Sequence, residues 1–394
     1  MNATTCSTRA ASIFLLIAAM TGSACGSSSD ADAPDGGADA SSGGSEAQLA
    51  VTCDWLDHRL SIVDLAKLKK GKAREDGLVG EVDLSAYPAG PLNLTIVPGT
   101  HLAVVSLSAG FFSLSPLAGV IVDAKNIPTD PGKLLFVDLD KRKVVSELVT
   151  GRHPMGIAIT PDGKRAFVTH FGTPEVAVID IEKRSLVKSV NVGPLSEEIV
   201  LDDSGEVGIF GYSAAGNVRT FGSSDFEGTL AEGITLTGDS AGMAFFPGTK
   251  LAYVVQAPNP VTSAKGGHTL VDVSDPQHPK TLEDVRLDAA PNAYPALSDA
   301  ERHSVLVPGA IGSKFSLEEI TLDAKGATQV SQTIPLGTAN VLGAYGMALG
   351  ANGRVWLASP AARGLVAVDL DAKSSYPVAW GTDNASPTFI ALLP

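Results

Sequence analysis

The sequence predicts an all-β fold, a seven-bladed β-propeller, on three observations. One segment is a complete four-strand unit, weaker copies recur at blade-like spacing, and an incomplete copy stands at each end of the repeating region. The complete unit runs from His153 to Gly193. In it a Pro-introduced apolar run, Met155 to Thr160, meets a second run, Ala166 to Thr169, across the turn Pro161-Asp162-Gly163, which makes a hairpin of two short strands. The alternating, β-branched stretch Val176 to Ile181 is the third strand. Leu186 to Val192 is the fourth, reached through the charged turn Glu182-Lys183-Arg184, a composition suited to a solvent-facing edge.

With Pro161 as anchor, equivalent turn positions fall at Pro98, Asp203, Pro247, Ser298, Ala351 and Pro394, at separations of 42 to 63 residues. Most lie near the roughly 40 to 50 residue period of a four-stranded blade. Seven residues before the turn the innermost strand begins, and Pro occurs there at Pro91, Pro154, Pro291 and Pro387, fixing φ where each strand turns inward. Four residues later come Ala158, Ala244, Ala348 and Ala391, small side chains that strands converging on an axis can accommodate. A sandwich explains the strands but not this shared register.

Third strands recur at Ser61 to Leu65, Leu134 to Asp140, Val176 to Ile181, Thr269 to Ser274 and Leu365 to Asp371. Each carries an Asp near its end (Asp64, Asp138, Asp180, Asp272, Asp369), placed to hydrogen-bond the backbone of the following turn. The last copy, Ser386 to Pro394, supplies only an innermost strand, whereas Leu49 to Asp54, Ser61 to Leu65 and Leu78 to Leu84 lack one. Joining them closes a seven-blade ring and pairs two otherwise open edges.

These residues resemble the YVTN-type β-propeller repeats, whose consensus is close to HPxGIAITPDGKRxYVTN; here Ala166-Phe167-Val168-Thr169-His170 has Phe for Tyr and His for Asn. Leu270-Val271-Asp272-Val273-Ser274-Asp275-Pro276 is similar to the related LVIVD repeat. The resemblance covers about residues 49 to 394 and implies fold more than function, because such propellers include binding modules, lactonases and cofactor enzymes.

Residues 1–24 have the layout of a secretory leader: Arg9, an apolar stretch from Ala10 to Met20, then Gly22-Ser23-Ala24 before Cys25. The stretch is too short for a membrane span. Cys25 after small residues resembles a bacterial lipobox, in which the Cys becomes the lipidated first residue, although Gly22 stands where that family has Leu; cleavage without lipid is the alternative. Residues 25–47, rich in Asp, Ala, Gly and Ser, cannot bury a core and are expected to be a disordered, flexible tether to the propeller at 48–394. Gly26 after the Cys implies, by analogy with sorting in Gram-negative bacteria, outer-membrane delivery of a lipid-anchored cell-envelope protein. Without lipid the protein would be secreted or periplasmic. Cys53, in a strand of the mature domain, reads as a small buried hydrophobe, or as a disulfide partner should Cys25 stay unacylated.

The net charge is -14, and residues 1–47 carry -4 of it, leaving -10 on the propeller. That balance argues against nucleic-acid binding, which depends on phosphate neutralisation, and against adsorption to anionic headgroups. No two His stand at zinc-ligand spacing and no loop has an EF-hand pattern, so neither metal nor cofactor is expected. No G-x-S-x-G elbow occurs either.

The loops into the innermost strands and those between second and third strands share one face, around the channel mouth. That face collects His58, His153, His170, Glu197, Tyr212, Gln256, His268, Tyr294 and Tyr345 as candidate ligand groups. His153 belongs to the repeat consensus and is read as capping its loop. An irregular loop, Ser108 to Pro131, holds Phe111 and Phe112 and is long and apolar enough to be a lid over the mouth, a partner surface or an added hairpin. The expected function is a monomeric, non-enzymatic binding or scaffold module for an envelope protein or glycan. The alternative is a lactonase-like or other cofactor-free hydrolase, with His153 and His170 converging on Glu197 or Glu198.

Overall fold

The computed structural model describes residues 48–88, 90–108, 131–194, 196–212, 216–257, 266–286, 295–311, 314–337, 344–350, 353–381 and 386–394. The leader, the tether with Cys25, the loop bearing Phe111 and Phe112, residues 258–265 and Tyr294 lie outside them. The described residues form seven four-stranded antiparallel sheets. In six of these blades the chain runs outward strand by strand. The first blade is composite: Pro387–Leu392 is its innermost strand and pairs with Leu49–Asp54, with Val51 opposite Ala391 and Thr52 opposite Ile390. Arg59–Asp64 and Leu78–Asp83 complete it, so the ring closes as the incomplete end copies predict.

From the second blade to the seventh the innermost strands are Pro91–Ile96, Pro154–Ile159, Ser196–Leu201, Asp239–Phe245, Leu297–Asp299 and Gly346–Gly350. The turn anchor slips in one of them. Ser298 lies within the inner strand, where its Oγ donates to the Phe245 carbonyl at 2.7 Å, and the turn follows Asp299, whose Oδ1 accepts the Glu301 and Arg302 N–H groups. No Pro or Gly marks that turn; an Asp side chain organises it instead, which is why spacing alone misplaced it.

The Asp at the end of each predicted third strand does what the sequence suggests. Asp64, Asp138, Asp180, Asp272 and Asp369 accept from the backbone N–H of Ala66, Lys141, Lys183, Ser274 and Ala372 at 2.8–3.1 Å. The turns behind three of them hold a basic residue in the left-handed region: Arg142, Arg184 and Lys373, at φ near 52°.

Apolar faces pack between blades rather than within one. Phe136 and Leu134 of the second blade share a cluster with Ile157, Val168 and Ile179 of the third, and Phe167 of the third packs on Phe221 and Phe226 of the fourth at ring separations of 5.2 and 5.6 Å. Near the axis, where strands converge, side chains disappear. A Cβ on Gly156 would lie 2.7 Å from the Glu197 carbonyl oxygen, one on Gly242 2.9 Å from the Ala296 nitrogen, and one on Gly346 2.6 Å from the Phe389 Cα. In each case the obstacle is the backbone of the next blade's inner strand, which cannot yield. Each of these glycines stands two residues before a predicted small position, Ala158, Ala244 or Ala348, all buried. The inner strands of five blades also carry a one-residue bulge on their upper half, which re-aims side chains near the channel. Among the described residues no helix is long and apolar enough to cross a membrane.

Candidate functional site

The propeller offers two places where polar side chains gather at the channel end of the blades. The first is the end of the second strands. Asp54, His170 and Tyr212 are the last residues of theirs, and Gln256 is the next to last. All four are buried, and all four reach back to the point where the preceding blade's outer strand finishes. Trp380 Nε1 donates to Asp54 at 2.8 Å, His170 Nε2 meets the Thr150 hydroxyl at 2.8 Å, the Tyr212 hydroxyl donates to the Val192 carbonyl, and the Gly238 N–H donates to Gln256 Oε1 at 2.7 Å. These side chains differ in chemistry but act alike: each latches one blade to the segment that leads into it.

The latch accounts for three of the predicted mouth residues. His170 has both ring nitrogens engaged, since Nδ1 is 3.1 Å from the Glu175 carbonyl, an acceptor only. Nδ1 therefore carries the proton, and Nε2 accepts from Thr150. Burial lowers its pKa from 6.5 to about 4. Below the ordinary value the unfolded chain binds a proton that the native state refuses, so His170 contributes stability fully above about pH 6.5 and loses it as pH falls towards 4. A fall of that size corresponds to about 3 kcal/mol at the acid end. His153 and His268, also shifted down by burial, act in the same direction. Melting temperatures between pH 7 and 4 are expected to fall steeply for the wild type and less steeply for His170→Asn; equal slopes would refute this account.

The remaining candidates are dispersed. His58 sits in the left-handed region in the turn before Arg59, with Nδ1 bonded to the Tyr87 carbonyl at 2.9 Å. His153 is also left-handed, and its carbonyl accepts the Phe171 N–H at 2.9 Å, which fits the loop-capping reading. His268 stacks on Tyr253 at 4.8 Å and bonds Thr328 on the outermost strand of the next blade. Of the described candidates, Glu197 and Tyr345 come together, at the second place.

That place is a partly open cavity of ≈ 200 Å³ on the axis, lined by the inner strands, or the residues just before them, of six of the seven blades. Leu92, Met155, Leu297, Met347 and Phe389 give it apolar walls, and Asn93, Glu197, Glu198 and Tyr345 are its polar groups. Glu197 and Glu198 are consecutive on one strand, at the bulge between Ser196 and Ile199. Glu197 is 6 % exposed. The Glu198 carboxyl accepts the Met243 N–H of the next blade, while its Oε2 is buried with no hydrogen-bond partner among the described residues. Asn93 Oδ1 is in the same condition. Burial first, and the negative charge of Glu197 second, push the Glu198 pKa well above the ordinary carboxyl range, and the same two causes raise Tyr345.

Asn93 and Asp54 were not among the predicted site residues, and Glu198 only as an alternative to Glu197. A register signal was there for Glu198: it precedes the turn position Asp203 by the same five residues as Gly156 precedes Pro161 and Gly242 precedes Pro247. A Glu where sister blades need Gly is the departure to look for. With both His170 nitrogens committed to Thr150 and Glu175, the convergence of His170 on these carboxyls does not occur. No group of three His, Cys, Asp or Glu among the described residues is placed to hold a metal ion.

No protein-family model and no curated protein sequence matches this chain. Solved structures do. A protein of unknown function from Desulfotomaculum acetoxidans is similar at a TM-score of 0.65 and 14% identity, covering 87% of this chain and 98% of its own. The periplasmic gluconolactonase of Pseudomonas aeruginosa is similar at 0.64 and 14%, covering 88% and 99%, and Kuenenia stuttgartiensis hydrazine synthase at 0.56 and 17%, covering 72% and 77%. At such identities the likeness establishes the β-propeller fold and nothing finer.

Proposed function

We propose that this chain is a lipid-anchored, extracytoplasmic propeller of the YVTN-repeat type that binds a ligand of the cell envelope by admitting part of it into the axial cavity. One observation carries the reading: the cavity is apolar except for the Glu197 and Glu198 carboxyls, the Asn93 amide and Tyr345, and of these polar atoms Glu198 Oε2 and Asn93 Oδ1 have no hydrogen-bond partner within the described protein. Buried polar atoms are nearly always satisfied, so these invite a hydrogen-bonding group from outside. The leader, Cys25 and the tether supply the expected anchor.

A second reading has its own support. Glu198, whose pKa burial and the Glu197 charge raise, stands beside Glu197, a pairing of the kind that supplies a general acid and a base for opening a lactone ring, and one structural neighbour is a gluconolactonase.

One experiment addresses both. Co-purification from the native envelope is run with the wild type, with Cys25→Ala, which should leave the membrane fraction, and with Ala296→Trp, which fills the cavity. Loss of the partner from a folded Ala296→Trp protein is the expected result. Partner retention sinks the cavity reading, whereas turnover of glucono-1,5-lactone that falls about 100-fold in Glu198→Gln supports the hydrolase.

A further inference from the structure

We propose that the axial cavity is a site for an organic ammonium ion, a primary amine on a small apolar body, with its ammonium among Glu198, Glu197 and the Asn93 side-chain oxygen and its body against Met155, Met347 and Phe389. This rests on the reading of the cavity as the binding site and adds the chemistry of what enters.

The polar complement of the cavity is lopsided. Its lining holds two carboxyls, the Asn93 amide and the Tyr345 hydroxyl but no Lys, Arg or His. An ammonium group has three donors and no acceptor, which matches a site short of donors. A hydroxyl brings one donor and no charge, and a carboxylate would face the field of Glu197 across an apolar, poorly screened gap. Two methionines and a phenylalanine give the soft, adaptable wall suited to a compact apolar body. At ≈ 200 Å³ the space is below that of drug-sized sites, so the body is small.

Among the described residues no basic side chain lines the cavity beside Glu198. On the adjacent second strand Arg165 lies at the opposite end, bonded to the Ser223 carbonyl, and His170 is committed to Thr150. Tyr212 is bonded to Val192, and Tyr345 is the remaining titratable group of the lining. Burial raises the Glu198 pKa, and an entering cation lowers it again, so wherever the empty site still holds its proton, cation binding sends that proton to solvent. Affinity for a cation then rises with pH through the pKa of Glu198 in the empty protein and levels off above it.

Titration calorimetry of the full propeller with phenethylammonium chloride, 2-phenylethanol and sodium phenylacetate tests this, at pH 5.5 and 8 and in two buffers of different ionisation enthalpy. Phenethylammonium is expected to bind at least about tenfold more tightly than 2-phenylethanol, to bind more tightly at pH 8, and to release a proton at pH 5.5. Glu198→Gln should cost the amine about tenfold, abolish proton release and leave 2-phenylethanol unchanged. Equal or tighter binding of the alcohol or the carboxylate overturns the ammonium assignment while keeping the cavity as a site. Absence of binding by all three overturns both. Proton release is read on the wild type, so the result stands even if the variant folds poorly.

Discussion

Deletion of residues 386–394 is expected to abolish cooperative folding altogether. The segment is one strand by length, but it is the innermost strand of the first blade, and its pairing with Leu49–Asp54 is the strand ladder that closes the ring among the described residues. Ile390 is 1 % exposed and belongs to the cluster that holds Ala50, Val63, Ala348 and Trp356, and Phe389, Ala391 and Leu393 pack on the neighbouring cluster of the first and second blades. Thr388 Oγ1 donates to the Leu92 carbonyl at 2.8 Å, tying the strand to the next blade as well. Without it Leu49–Asp54 becomes an inner edge facing the channel, the N–H and C=O groups that faced Pro387–Leu392 unpaired and two clusters opened to water. Each lost apolar side chain is worth about 1.5–3 kcal/mol, and the orphaned ladder adds to that, so the sum meets the whole margin of about 5–15 kcal/mol typical of a domain. The truncated chain should show no sigmoidal melt and should bind a hydrophobic dye. A synthetic peptide of residues 386–394 should restore the transition in trans; a truncated protein that melts like the full chain would refute the closure argument.

Closure of this kind was legible because it depends on periodicity. The turn anchors, the Asp at the ends of third strands and the half-copies at either end are repeated features, and repetition survives divergence of any one blade. Ser298 slipped for the opposite reason: its turn is made by Asp299 rather than by Pro and Gly, and no compositional mark distinguishes such a turn from strand. The site divided along the same line. His170, Tyr212 and Gln256 attract attention as isolated polar residues at the mouth, yet they share one position and one latching task, which only the three-dimensional register brings out. Glu198 is the reverse. It looks like one more surface carboxyl beside Glu197 until the blades are superposed, and then it stands where Gly156 and Gly242 have no side chain at all.

The fold also explains why the latches could diverge while the ring did not. Blade-to-blade contact near the axis is backbone against backbone at Gly156, Gly242 and Gly346, where the steric demand allows one residue type. At the ends of the second strands the demand is only for a buried group that can bond the incoming segment, which an acid, an imidazole, a phenol or an amide can each meet. Sequence conveys the first kind of constraint as a repeated letter. It conveys the second as unrelated letters in one register.

Among these latches Asp54 is expected to matter most. It is fully buried and accepts from Thr52 Oγ1 at 2.9 Å, Ser61 Oγ at 2.5 Å and Trp380 Nε1 at 2.8 Å, with Arg59 Nε at 3.3 Å and Arg74 at 3.6 Å. Trp380 comes from the seventh blade, so the knot lies across the same joint that the C-terminal strand closes. Asp54→Ala removes the common acceptor and leaves several buried donors and two cations facing a void. Breaking a buried charge cluster from one side costs about 3–5 kcal/mol. At roughly 2 °C per kcal/mol for a chain of this size, the melting temperature should drop by about 6–10 °C. Asp54→Asn should cost less. Burial raises the pKa of Asp54 even against its hydrogen bonds and Arg59, which means that folding still favours the neutral acid and that this group adds stability as pH falls through the interval between its ordinary and raised pKa. A neutral amide keeps one acceptor and gives up only the charge, and its disadvantage should shift with pH because it cannot titrate. Glu81→Gln is the control: Glu81 bonds the same arginines but is 38% exposed, so its loss should stay within about 1 kcal/mol. Denaturant midpoints for the three variants should fall in the order Glu81→Gln, Asp54→Asn, Asp54→Ala from mildest to most severe. If Asp54→Ala proves no worse than Glu81→Gln, the knot does not hold the joint, and the strand pairing alone closes the ring.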